Sequence, residues 1–248
     1  MDTGFILNRR PFRDNSLLVD LLTKESGRIT CIARVAKKRG KIMAGTLEPF
    51  RLLRVDWIGR GQVQTLTMAE EQGRYRVPVA ELCKALYLNE LVLKLIPKHA
   101  PAEEIFLSYQ YAIKQITEQS SDLMDCEMIL LESLGYSFRY QSDLQLDIAT
   151  RRTTLEAPHE ATYKNSHNPF YEPLQAQLKY HYSIDNGLSL DNESQAVPIS
   201  GNLLIKLNGR STLNPLEQQE LRTFLNRLID LLLSGKKLNS RKLAFGNY

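Results

Sequence analysis

Nine consecutive positions, RVAKKRGKI at 34 to 42, hold Arg34, Lys37, Lys38, Arg39 and Lys41 and no acid. Upstream, RRPFR sets Arg9, Arg10 and Arg13 around the ring of Phe12, and near the other end GKKLNSRK supplies Lys236, Lys237, Arg241 and Lys242. Ammonium and guanidinium groups interleaved with a flat ring suit one kind of chemistry. They hold a polyphosphate, and the ring offers a surface on which a base can stack. The bland alternative for each run is a solvated loop or tail. Charge distribution argues against it. Residues 1 to 61 carry thirteen bases against six acids, an excess of +7, while the whole chain nets +4, so the remainder is −3. A basic head on a mildly acidic body points to nucleic acid as the partner. An anionic membrane surface fits less well, because no basic amphipathic helix can be read in the pattern.

Other chemistries find no footing. The sequence has no G-x-x-x-x-G-K-[ST], no G-x-G-x-x-G after a strand and no G-x-S-x-G. His99, His159, His167 and His181 lack ligand-like spacing, and there is no C-x-x-C. The expectation is a binding protein, not an enzyme, with no catalytic residues, no cofactor and no metal. Cys31, Cys83 and Cys126 are odd in number and far apart, which argues against disulfides and for a reducing cytoplasm. No apolar run approaches the roughly 18 residues of a membrane span. The opening MDTGFILNRR is broken too early by Arg9 and Arg10 to be a signal peptide.

The elements that must position these bases follow from periodicity. GFILNRRPF, SLLVDLLT, RITCIARV, LEPFRLLRVDWI and QVQTLTMAE read as strands, with turns at KESG, where Gly27 serves, and at Gly59-Arg60-Gly61. Leu53, Val55 and Trp57 alternate with Arg54 and Asp56, which predicts a core side and a solvent side. Five turn-linked strands with no intervening helix suggest a small closed barrel of the OB type, which leaves no free sheet edge. From Pro78 the period becomes helical. ELCKALYLNELVLKLI is apolar over most of its circumference and predicts a buried helix carrying Leu82, Leu86, Leu93 and Ile96 on one stripe, with Leu88, Leu91, Val92 and Leu95 widening it. AEEIFLSYQYAIKQI and DLMDCEMILLESL are further helices, the latter ending at Gly135. Residues 139 to 195 are polar and weakly periodic, with loops and a possible hairpin around LKYHYSI. A last helix is announced by Asn214, Pro215 and Glu217, carries Leu221, Phe224, Leu225, Leu228, Ile229 and Leu232 on one face, and stops at Gly235. The fold class expected is α+β in two domains: a five-stranded OB-fold barrel over 1–78, then a mainly α-helical domain over 79–248 with an irregular insert at about 139–196.

Taken together, GFILNRRPFRDNSLLVDLLTKESGRITCIARVAKKRG resembles the opening of the bacterial RecO family of recombination-repair proteins. An arginine-proline-aromatic element precedes a serine-leucine strand, then an acid-containing turn ending in glycine-arginine, then a strand running into a basic loop. LEPF and GRGQVQTLTMAE continue the likeness, as do ALYLNELVLKLI, LLESLGY and the closing GKKLNSRKL. These motifs cover about 1–96, 126–138 and 197–245, and leave 139–196 unmatched.

The resemblance implies a DNA repair and homologous recombination mediator, active after DNA damage. Such a protein binds single- and double-stranded DNA, anneals complementary strands, and with RecR (in some lineages RecF as well) loads RecA onto strands coated by single-strand binding protein, SSB. It also implies binding of the acidic SSB C-terminal tail, a cytoplasmic, nucleoid-associated location and no membrane. On this reading the DNA-binding residues are Arg9, Arg10, Phe12, Arg13, Arg34, Lys37, Lys38, Arg39, Lys41, Lys236, Lys237 and Arg241. Leu131, Leu134 and Tyr136 would wall the SSB-tail site, with Arg139 or Lys94 as its cation. Two departures stand out. Many relatives hold zinc in a four-cysteine element after the leucine-glycine-tyrosine turn, where this chain has no cysteine, so zinc is not carried over. Some relatives begin the third helix with arginines, where this chain has Met124 and Asp125. The alternative reading is a generic OB-fold RNA- or DNA-binding adaptor working mainly through protein contacts.

Overall fold

Alternating apolar residues in five segments produce β1 (Asp2–Pro11), β2 (Ser16–Thr23), β3 (Gly27–Arg34), β4 (Arg51–Ile58) and β5 (Gln64–Arg74). In the computed structural model, which describes residues 1–35, 44–100, 103–120, 123–136, 174–191 and 195–245, these strands close into a barrel in the order β1-β2-β3-β5-β4. Neighbours are antiparallel except β3 and β5, which run parallel from Cys31↔Gln64 to Ala33↔Leu66. This is the OB-type barrel the strand count suggested. Its interior is filled from alternate positions: Ile6, Val19, Leu21, Ile29, Cys31, Ala33, Leu53, Val55 and Leu66, with Leu47 added from the connection before β4. A one-residue slip would turn this whole set outward, so burial itself fixes the register. Trp57 packs against the same core while remaining partly exposed.

Two departures from regular pairing shape the barrel. The register of β1 on β2 jumps between Ile6↔Leu21 and Asn8↔Asp20, so Leu7 bulges. Phe5, Ile6 and Leu7 are consequently all buried, against the alternation of an unbroken strand. The β2–β3 turn is tight: Gly27 has φ +69°, and the Asp2 carboxylate accepts from the N–H groups of Glu25 and Ser26.

Helices then cover part of the barrel. α1 (Leu82–Leu95), α2 (Glu103–Glu118) and α3 (Leu123–Ser133) follow β5. α1 buries Ala85, Tyr87, Leu88, Asn89, Leu91 and Val92. Leu82 and Leu86, expected on the inner stripe, are exposed, because the face through 85, 88, 89 and 92 is the one turned inward. Phe5 sits 5.2 Å from the Tyr109 ring and 5.4 Å from the Phe106 ring, centroid to centroid, so α2 also rests on β1. Where the bulge frees a carbonyl, Asn89 Nδ2 donates to Leu7 O (3.0 Å) while Asn89 Oδ1 accepts from Tyr109 OH (2.6 Å). Burial drives the Tyr109 phenol well above its ordinary range, which keeps it a donor.

The chain divides into two compact units, Met1–Leu134 with Gly235–Tyr248, and Gly135–Ser234. The barrel and α1 to α3 fall in one unit, joined by packing such as Phe5 against Phe106 and Tyr109. The second unit holds the three-stranded sheet β7-β6-β8, made of β6 (Lys179–Ser183), β7 (Gly187–Ser189) and β8 (Val197–Ser200). With it are α4 (Gly201–Asn208) and α5 (Pro215–Leu233). The hairpin suspected around LKYHYSI is β6–β7. The α5 cap is as read: Asn214 Oδ1 accepts from Glu217 N, and the Glu217 carboxylate accepts from Asn214 N. Leu233, rather than Leu232, completes its buried face, since a four-residue step from Ile229 keeps the side chain on the inner stripe. No helix among the described residues is long and apolar enough to cross a membrane.

Candidate nucleic-acid interface

At one end of the barrel the β1–β2 loop and the end of β3 are stitched together. Phe12 N donates to Ser16 O (2.9 Å) and Val35 N donates to Asn15 O (3.0 Å), while Ser16 pairs with Arg34 across β2 and β3. Arg10 and Arg34 are exposed there, and no ion pair engages either among the described residues. Arg13, at φ +55°, folds its guanidinium over the Phe12 ring, 5.3 Å from the centroid. This cation–π contact holds a half-buried ring and a cation side by side. Arg9 has a different job. It forms an ion pair with Glu48 (2.7 Å) and donates to Ala44 O (3.1 Å), which fixes the chain just past the basic run. Lys37, Lys38, Arg39 and Lys41 lie outside the described residues. Their flanks do not: Val35 is held by the β1–β2 loop and Ala44 by Arg9 at the end of β1.

Several bases on the strand bodies are matched by acids. Arg51 and Arg74 share Glu71 at 2.7 and 2.9 Å, and Arg54 pairs with Glu70. Hydrogen bonding from Arg74, with the charge of Arg51, pulls the Glu71 carboxyl below its ordinary value. Lys24 faces Glu103 at 3.3 Å. Arg28 donates to Ile96 O (2.7 Å), and burial lowers its pKa against the opposing charge of Asp20. The excess of +7 is therefore not spread evenly. Most bases in the strand bodies are engaged by acids, and those without an ion pair among the described residues include Arg10 and Arg34 at strand ends and Arg60 in a turn.

The closing basic segment belongs to the barrel unit. Ser234 and Gly235 take left-handed φ values of +48° and +87° as α5 ends. Glu90 on α1 then captures the chain. Its carboxylate accepts from Asn239 N (2.9 Å), Ser240 N (2.8 Å) and Ser240 Oγ, and Lys94 Nζ closes on it at 2.7 Å. Burial works against the charge, but Lys94, Ser240 and the two backbone N–H groups outweigh it and pull the Glu90 pKa down to about 2. Lys94 Nζ also donates to Lys237 O. The segment ends in the short helix α6 (Arg241–Phe245). Lys236 and Lys237 are exposed, whereas Arg241 is half-buried.

Of the residues expected at an SSB-tail site, Leu131 is fully buried within α3 and Leu134 is half-buried after it. Tyr136 belongs to the second unit, where, after burial, its proximity helps push the Tyr182 phenol up to about 12. Arg139 lies outside the described residues.

Residues 1–73 match the family model described as Recombination protein O N terminal. Over its whole length the chain is similar to curated proteins named DNA repair protein RecO. The relative from Methylococcus capsulatus is 30% identical over 248 residues, 98% of this chain and 92% of that protein. Those from Halorhodospira halophila and Dechloromonas aromatica are 29% and 28% identical over 97% of this chain, and 94% and 93% of their own lengths. The chain belongs to the RecO family. The aligned span of the RecO relatives takes in residues 139–196, which the motifs alone left unmatched. A four-cysteine zinc element does not fit this RecO chain. No cysteine follows Cys126, and Cys31, Cys83 and Cys126 are separate free thiols. Burial, then nearby Asp20, pushes the Cys31 thiol up to about 12, so it packs as an inert apolar group.

Sequence reasoning missed the partners that hold the RecO loops in place: Glu90, Glu48, Asn89 and the 96–100 segment. Glu90 and Ser240 are 150 residues apart, and no local pattern couples them. Arg60 did carry a signal, an arginine between two glycines, which also describes the hairpin turn it occupies.

Proposed function

We propose that this chain is a DNA repair and recombination mediator of the RecO type. It binds single- and double-stranded DNA through the β1–β2 end of its barrel and anneals complementary strands. With RecR it helps load RecA onto SSB-coated single strands. The observation that carries the reading is the segregation of unmatched bases. Arg10, Arg13 and Arg34 stand at one barrel end beside Phe12, and both flanks of the run bearing Lys37, Lys38, Arg39 and Lys41 are fastened there. Eight residues separate the two fastened positions, Val35 and Ala44. Such a surface meets phosphates without reading sequence, and Phe12 supplies a stacking platform. Whole-length similarity to proteins named for DNA repair supports the biological role.

The test is salt dependence. If a single strand meets about four of these bases, log affinity should fall with log salt at a slope near −3, about −0.7 per contact. Replacing Lys37, Lys38, Arg39 and Lys41 together by alanine should flatten that slope and weaken binding to every sequence alike. An unchanged slope would remove the barrel end from the interface. Fluorescence annealing of SSB-coated complementary strands, with and without the protein, tests the mediator role. No acceleration would leave a DNA-binding protein without that activity.

A further inference from the structure

A second group of bases collects on the same unit, away from the β1–β2 end. The segment after α1 is stitched onto the β2–β3 hairpin. Lys98 bridges to Arg28, His99 N donates to Arg28 O (3.0 Å), and Gly27 lies so close that a Cβ there would meet Ala100 O at 1.9 Å. Lys98 Nζ reaches Gln62 O (3.3 Å), which brings it beside the β4–β5 hairpin tip at Arg60. Four residues earlier Lys94 touches the carbonyl of Lys237, at most about 15 Å of chain from Lys98. Contacts thus run from the hairpin tip that bears Arg60, through Lys98 and Lys94, to the segment that bears Lys237 and Lys236.

The local acids do not neutralise this group. Glu90 is occupied by Lys94 and the Asn239 and Ser240 donors, and Glu103 by Lys24. No ion pair engages Arg60, Lys98, Lys236 or Lys237 among the described residues. The chain is fastened beside each: Lys98 rides on the stitched hairpin, and Lys236 and Lys237 precede the clasp at Glu90. From Arg28, beside Lys98, to Arg34 at the β1–β2 end is six residues of β3, about 20 Å of extended strand.

We propose that Arg60, Lys98, Lys236 and Lys237 form a second phosphate-binding track, about 20 Å from the first, which holds a second nucleic-acid strand while the β1–β2 end holds another. This rests on the DNA-binding reading above and deepens it. Two strands on separate tracks of one molecule are kept at high effective concentration, which is what annealing requires. The contacts are to the backbone, so the second strand is bound without sequence preference.

The test uses the full chain and two non-complementary oligonucleotides bearing a donor and an acceptor dye, with energy transfer reporting both strands on one protein. In R60A/K98A/K236A/K237A, first-strand affinity should stay within about twofold of the parent, because the β1–β2 end is untouched. Second-strand affinity should fall at least tenfold, with a matching loss in annealing rate. In the parent, adding the second strand should also slow amide exchange across residues 235–245, a readout that needs no variant. Parent-like second-strand binding by the variant would overturn the proposal. So would an equal tenfold loss for the first strand, which would mean one continuous site. A parent that binds no strand at all would sink the function proposed above instead.

Discussion

Replacing Glu90 by glutamine should loosen the closing segment from α1. The carboxylate gathers an ammonium, a hydroxyl and two backbone N–H groups, and its pKa falls from an ordinary 4.5 to about 2. The sign follows from linkage. A carboxyl depressed in the folded state stabilises it fully above the unfolded value, and that contribution is lost as pH falls from about 4.5 toward 2. Taken at face value the displacement corresponds to about 3 kcal/mol at neutral pH. The side chain keeps 16% of its surface exposed, and screening reduces the figure to about 2 kcal/mol. Glutamine preserves shape and one acceptor but loses the charge. At pH 7 the amides of Asn239 and Ser240 should therefore exchange ten- to thirtyfold faster in the variant, a change of about 1.4 to 2 kcal/mol in local opening. Exchange in β2 and β3 should be unaltered. Mass-spectrometric amide exchange on peptides spanning 235–245 reads the effect directly. The gap between parent and variant should narrow as pH drops below about 4.5. Equal exchange at pH 7, or a gap indifferent to pH, would show that Glu90 does not hold the segment by its charge.

Two further substitutions probe how the barrel is held. Asn89→Ala removes the partner of both the Leu7 carbonyl and the Tyr109 hydroxyl, which are buried. Urea denaturation should show a loss of about 2 to 4 kcal/mol, and a loss under about 1 would mean that neighbours or water replace the amide. Gly27→Ala demands a Cβ at a left-handed φ and 1.9 Å from Ala100 O. The thermal midpoint should fall, with a cost of at least about 2 kcal/mol, and an unchanged midpoint would show that the 96–100 segment can give way freely.

Much of the barrel was legible because its information is local. Val19 and Leu21, Ile29 and Cys31, Leu53 and Val55 alternate in sequence as they alternate across the sheet, and Gly27, Gly59 and Gly61 mark turns that need positive φ. The α5 helix was readable for the same reason, since its capping box lies within four residues. The second unit was less legible. Strands of three to five residues, as in β6 to β8, are too short to impose a period. The inner face of α1 was read as too wide, because an almost wholly apolar helix does not say which side meets β1. Of the candidate interface, the base-rich runs could be read directly. Which bases are neutralised could not. Arg9 and Arg10 are adjacent, yet Arg9 is bound by Glu48 and Arg10 is not.

Local patterns were enough for the five strands, their turns, the capped α5 helix, the family likeness and the concentration of positive charge toward the amino end. These follow from near-neighbour patterns and from composition, which need no knowledge of the folded path. Which charges remain available depends on the folded path, because ion pairing needs contacts such as Arg9 with Glu48 and Lys24 with Glu103, and the hydrogen bonds from Asn239 and Ser240 to Glu90 form the same way. Chain closure brings these groups together across long separations. The same closure carries the basic terminal segment back onto α1, where electrostatics rather than periodicity fixes its place.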